Sequence, residues 1–243
     1  MDYTTELLER LKNNADAVRR NIEQVCAEAG RDASEVTLIG VSKVFPVEYA
    51  EAAFAGGLKD LAENRVQELV PKIERLDELG LHPNWHLIGT LQRNKVKYII
   101  GKTYLIHSVN TLELAEEISK RSAAAGIVTD ILLQGNISGE ESKHGFAPDE
   151  LKAAAEAVSA MEGVRMRGLM TMAPIETKPG EARPVFARTR ELFEELKAQV
   201  KDPSCWDVLS MGMSGDYREA IMEGSTCVRI GTAIFGDRKA LQV

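Results

Sequence analysis

The sequence predicts a single-domain (β/α)8 barrel with an extra N-terminal helix. Three observations predict it. Short apolar runs alternate strictly with helical patterns along the 243 residues, eight such runs can be counted, and no linker, low-complexity run or composition shift splits the chain. Strict alternation implies parallel strands, in an open doubly wound sheet or a closed barrel. Eight units within roughly 200–250 residues favour the barrel.

The elements follow in order. Residues 3–29 carry Leu7, Leu8, Leu11, Ala15, Val18, Ile22, Val25 and Cys26 at three- and four-residue spacing, one amphipathic helix ended by Gly30. VTLIGVSK, in the 37–44 region, suits a fully buried strand. Pro46 opens a helix that stops at Gly56–Gly57. A strand at 58–62 then precedes a helix at 64–79, one at 85–88 a helix at 92–100, and one at 104–106 a helix at 111–125. The strand at 130–134 leads through the loop NISGEESKHGF to an Ala-rich helix at 148–161. Strands at 164–169 and 206–209 precede helices at 184–200 and 217–223, and 227–230 is the eighth strand.

Bulk properties exclude several function classes. A net charge of −7 argues against a general nucleic-acid or membrane-surface role. The N-terminus is charged from its second residue and no run approaches the roughly 18 apolar residues of a membrane span, so a cytoplasmic protein without a signal peptide is expected. Cys26, Cys205 and Cys227 are odd in number and widely spaced, which reads as reduced thiols. His82, His86, His107 and His144 form no metal-ligand spacing, so no metal is expected.

In barrels of this kind chemistry sits on the loops after the strands. The residues that local structure leaves unexplained gather there: Lys43, Glu63–Asn64, His86 with Gln92, Asn94 and Lys95 after it, His107–Ser108, Asn136, Met170–Pro174, SMGMSGD (210–216) and RIGT (229–232). Each has a bland alternative, such as a solvated strand-end lysine, a core histidine or a capped turn. Their joint position at one end of the strands weighs against those alternatives.

The loops after strands seven and eight, MGMSGD and RIGTAIFG, suit a phosphate. Glycines let backbone N–H groups approach closely, Ser214 and Thr232 add hydroxyl donors, and a helix after Gly215 would add its positive end. A lysine across the mouth from a phosphate cradle is what pyridoxal 5′-phosphate (PLP) needs. Spacing alone does not separate PLP from a sugar phosphate on a Schiff-base aldolase.

GVSKVFP, LAENRVQE, WHLIGTLQRNK, HSV, NISGEESKHG, GLMTMAP, LSMGMSGDYREAI and GSTCVRIGTAIFG, in that order from about residue 4 to residue 238, resemble the PLP homeostasis protein family. That family is similar in fold to the barrel domain of alanine racemases. The resemblance implies that Lys43 is the Schiff-base lysine and that Ser214, Gly231 and Thr232 bind the phosphate. It further implies that Arg229 lies beside the pyridine nitrogen, that Asn64 and Ile88 line the ring, and that Met211 lies beneath it. One departure is Arg65, where the family commonly has Tyr. Lys143, in SKHG, is the candidate second lysine for passing PLP on.

Two function classes follow. One is a protein that stores, buffers or delivers PLP, with apo PLP-dependent enzymes as acceptors. The other is a weak PLP-dependent amino-acid racemase. Racemases of this type draw a second base from an extra β-domain that also dimerises them, and only about a dozen residues follow the eighth strand. The carrier, as a monomer with no catalytic residue of its own, is therefore the expectation. A third reading leaves Lys43 unmodified and places a metabolite in the phosphate site.

Overall fold

The strand β1 (Thr37–Val41) pairs in parallel with both β2 (Asp60–Glu63) and β8 (Cys227–Ile230), and that double pairing closes the sheet. The computed structural model describes residues 3–140, 144–174 and 180–237. Between β2 and β8 run β3 (Asn84–Leu87), β4 (Leu105–Val109), β5 (Thr129–Gln134), β6 (Val164–Met170) and β7 (Val208–Met213), in sequence order around the barrel.

The helices are α1 (Thr5–Glu28), α2 (Val47–Ala55), α3 (Val66–Glu78), α4 (Leu112–Ala124), α5 (Leu151–Ser159), α6 (Arg183–Lys197), α7 (Tyr217–Met222) and α8 (Thr232–Phe235). The expected helix at 92–100 is instead the 3-10 helix Arg93–Tyr98. Most other expected boundaries move inward or shift by a few residues. The strand expected at 58–62 starts only at Asp60, because Leu58 N–H still bonds Ala53 O in the turn that ends α2.

Side chains alternate across each strand. Leu61, Leu87, Ile106, Leu133, Leu209, Val228 and Ile230 face outward into one apolar layer beneath the helices. Their neighbours point inward, where Ile39, Val41, Ala62 and Cys227 form one small cluster and Leu105, Leu132 and Met170 another. His86, His107, Ser210 and Arg229 share that interior and are also buried. The barrel is thus filled partly by polar groups.

The predicted extra helix has a definite task. α8 is only four residues long and cannot cover the seam where β8 meets β1. α1 packs against α2, α7 and α8, burying Leu11, Ala15, Val18, Ile22, Val25 and Cys26. Asn14 Nδ2 donates to Ile234 O at 2.9 Å, which fastens α1 to α8.

Candidate functional site

β1 ends at Val41, and the chain turns at once. Ser42 O accepts from Phe45 N–H at 3.1 Å, which places Lys43 and Val44 in a tight turn at the barrel mouth. Val44 has φ +66°, a left-handed conformation rare for a β-branched residue, and its N–H is held by Glu68 Oε2 at 2.7 Å. On the other side of Lys43, Ser42 is anchored twice. Its carbonyl accepts from Lys72 Nζ at 2.9 Å, and its hydroxyl donates to Glu63 Oε1 at 2.6 Å. Lys72 also pairs with Glu63 at 2.5 Å, in the layer between β2 and α3. Burial raises the Glu63 pKa, and the Lys72 charge opposes that rise. The lysine-bearing turn is therefore clamped by side chains from β2 and α3.

Lys43 lines a mouth cavity of about 570 Å³, a volume ordinary for a small-ligand pocket. Asn64, Ile88 and Arg229 line it as well, and so do Ser214, Gly231 and Thr232. Seven of the eight residues expected to hold a cofactor thus converge on one space. Met211 does not: it is fully buried in the outer apolar layer, and Met172 and Met213 line the cavity instead. Gly212, at φ +95°, breaks the pleat of β7, so Met213 does not follow Met211 to the outer face. The register between β7 and β8 shifts over the same stretch.

Three observations show that these residues suit a phosphorylated aldehyde. Ser214 Oγ accepts from Gly231 N–H at 3.3 Å, so the β7 and β8 loops meet with a hydroxyl and an N–H side by side. A β-carbon on Gly215 would meet nothing within 4 Å, which leaves open space above its backbone, and one on Gly231 would make only ordinary contact with Val41 at 3.6 Å. Asn64 Oδ1 is buried and takes no hydrogen bond among the described residues, an acceptor awaiting a donor. The expected helix after Gly215 is α7, whose six residues start only at Tyr217, and Asp216 Oδ1 turns back to accept from Met213 N–H at 2.6 Å.

Arg229 is buried beneath this space, donating to Ser210 Oγ at 2.5 Å and Thr171 O at 2.9 Å. Burial lowers its pKa from the ordinary guanidinium value.

Several strand-end residues have other work. His86 and His107 lie inside the barrel, hydrogen-bonded to each other at 2.9 Å. Asn136 Nδ2 donates to Glu140 O within its own loop. Lys143 lies outside the described residues. The cavity also takes in Thr90, Gln134 and His144, which the sequence reading did not single out. Gln134, a polar residue ending the apolar strand DILLQ, carried the same signal that marked Asn136. Among the described residues no cluster of His, Cys, Asp and Glu could hold a metal, and no helix is long and apolar enough to cross a membrane.

The comparisons agree with this geometry. A family model described as alanine racemase, N-terminal domain, matches residues 14–239, and with the strand-end lysine it defines a barrel of the alanine-racemase class. Several relatives carry the name pyridoxal phosphate homeostasis protein. That of Aquifex aeolicus is 45% identical over 222 residues, covering 91% of this chain and 96% of that protein. That of Pseudomonas aeruginosa is 41% identical over 228 residues, covering 94% and 96%. The solved structure of PipY from Synechococcus elongatus with PLP bound superposes with a TM-score of 0.76 at 34% identity, covering 88% of this chain and 99% of that one. The chain belongs to the pyridoxal phosphate homeostasis protein family.

Proposed function

We propose that this protein holds PLP reversibly in the mouth cavity and takes part in PLP homeostasis, storing, buffering or delivering the cofactor. The observation that carries the reading is the convergence of Lys43, Asn64 and the Ser214–Gly231 junction on one cavity. The names of the relatives, and PLP in the PipY structure, support it.

PLP supplies an aldehyde that condenses with an amine. The Lys43 amine would receive it, held by a turn whose two flanks are fixed. The Ser214 and Thr232 hydroxyls would donate to the phosphate, joined by the Gly231 N–H on turning from Ser214 Oγ, and the Asn64 and Ile88 side chains would border the ring. Arg229 would lie beside the ring nitrogen. A guanidinium there disfavours protonation of that nitrogen, and an unprotonated ring is a poor electron sink. The site therefore suits retention better than amino-acid chemistry.

The protein is read as a cytoplasmic monomer that passes PLP to apo PLP-dependent enzymes. Lys143 is the candidate second lysine in that transfer. The test is direct. Purified protein incubated with PLP should turn yellow, the colour should bleach with borohydride, and mass spectrometry should find the pyridoxyl group on Lys43. A reduced label on another lysine, with none on Lys43, rejects the reading.

A further inference from the structure

The barrel interior carries a polar chain that the binding of PLP does not by itself require. Asp60 opens β2 at the end of the barrel opposite Lys43, and lines a separate cavity there rather than the mouth cavity. Its Oδ1 meets Asn84 Nδ2 at 3.0 Å and His86 Nε2 at 3.2 Å. His86 Nδ1 meets His107 Nε2 at 2.9 Å, and His107 Nδ1 meets Ser210 Oγ at 2.9 Å. Ser210 Oγ in turn accepts from Arg229. Four links join one mouth of the barrel to the other.

The chain has a direction. A carboxylate only accepts, so His86 Nε2 carries the proton. Burial lowers the pKa of both imidazoles, outweighing the pull of Asp60 on His86, and the neighbouring charges of a protonated His86 and of Arg229 lower that of His107 further. A neutral His86 then accepts at Nδ1, so the proton between the rings sits on His107 Nε2. His107 Nδ1 is left as an acceptor and accepts a hydrogen bond from the Ser210 hydroxyl. With its hydrogen directed to His107, Ser210 turns a lone pair to Arg229. Reversing any link would set two donors or two acceptors face to face.

We infer that Asp60 is a positioning residue for the cofactor pocket: it sets the tautomers of His86 and His107 and, through the Ser210 hydroxyl, fixes the Arg229 guanidinium. Its effect on PLP rests on the function proposed above. The tautomers do not depend on that function.

The experiment has two arms. In the ligand-free protein, nitrogen-15 NMR of the imidazoles should show both His86 and His107 as neutral Nε2–H tautomers. Asp60→Asn, whose amide oxygen still accepts from His86, should keep them. Asp60→Ala should give mixed tautomers, and should also shift the visible band of bound PLP and weaken its affinity about three- to tenfold, the size of one neutral hydrogen bond. A Nδ1–H tautomer at either histidine of the unmodified protein overturns the proposal, even if Asp60→Ala fails to fold. So do native tautomers in a folded Asp60→Ala, or altered tautomers with an unchanged PLP band and affinity. Failure of the unmodified protein to bind PLP rejects the proposed function and leaves the tautomer result standing.

Discussion

Gly89 presses on the backbone of Asn64: a β-carbon at position 89 would fall 2.2 Å from the Asn64 carbonyl oxygen and 2.8 Å from its Cα. The loops after β2 and β3 pass so closely that only glycine fits between them, and the contact sets where the Asn64 side chain meets the cavity. Gly89→Ala must push Asn64 aside. A loss of about 1–3 kcal/mol in unfolding free energy is expected from the overpacking, together with weaker PLP binding. Native affinity in this variant would show that Asn64 does not contribute to the site.

Ser214→Ala removes a hydroxyl from the proposed phosphate cradle. A charge-assisted hydrogen bond contributes about 1.5–3 kcal/mol, so PLP affinity should fall roughly ten- to a hundredfold. Pyridoxal, which lacks the phosphate, should lose much less. Titration of both ligands against both proteins checks this, and equal losses would place Ser214 away from the phosphate.

The clamp behind Lys43 makes a different prediction. Lys72 and Glu63 are both buried, so Lys72→Met leaves an uncompensated carboxylate. Destabilisation of about 3–5 kcal/mol is expected. Adding Glu63→Gln should recover more than half of it, because a neutral amide tolerates the same site. Denaturant melts of the two variants measure the difference, and no recovery would mean that Lys72 acts through packing alone.

Acid should destabilise the protein through the two interior histidines. Burial holds both below the ordinary imidazole pKa in the folded state. As the pH falls below about 6.5 the unfolded chain takes up protons that the folded one does not, so stability declines by up to about 1.4 kcal/mol per pH unit for each histidine. Glu63 works in the opposite sense, since its raised pKa favours the folded state as the pH falls through it. Unfolding free energies that do not change between about pH 7.5 and pH 5.5 would show that the histidines protonate in place.

Amino-acid turnover should be slow. Arg229 is buried beneath the cavity, and in its proposed place beside the ring nitrogen it would disfavour the protonated ring that carbanion chemistry needs. Chiral chromatography of alanine, serine and lysine incubations should show racemisation well under about one event per second, low on the scale of enzyme rates. PLP-free transaminase mixed with the loaded protein should regain activity. Fast racemisation would restore the enzyme reading.

The barrel was legible because its signals are periodic: apolar strands, helical spacing and glycine stops repeat eight times. Lys43 and Ser214 were legible because each stands where a strand ends. Met211 misled for a physical reason. A strand reading assumes unbroken alternation, and Gly212 leaves the extended region just where Met213 needs to reach the pocket. The His86–His107 pair was hidden for another reason. Residues 21 apart in sequence meet only because β3 and β4 are neighbours with both side chains facing inward.

The tie between Asn14 and Ile234 spans 220 residues. Contacts of such long range form late, since a long loop must be closed before they contribute. Thr232 and Gly231 lie within three residues of Ile234, so the proposed phosphate cradle and the fastening of α1 should mature together. During folding, competence to receive the cofactor would then be among the last properties acquired, and a chain with its first helix removed should lose affinity for the phosphate before it loses its strands.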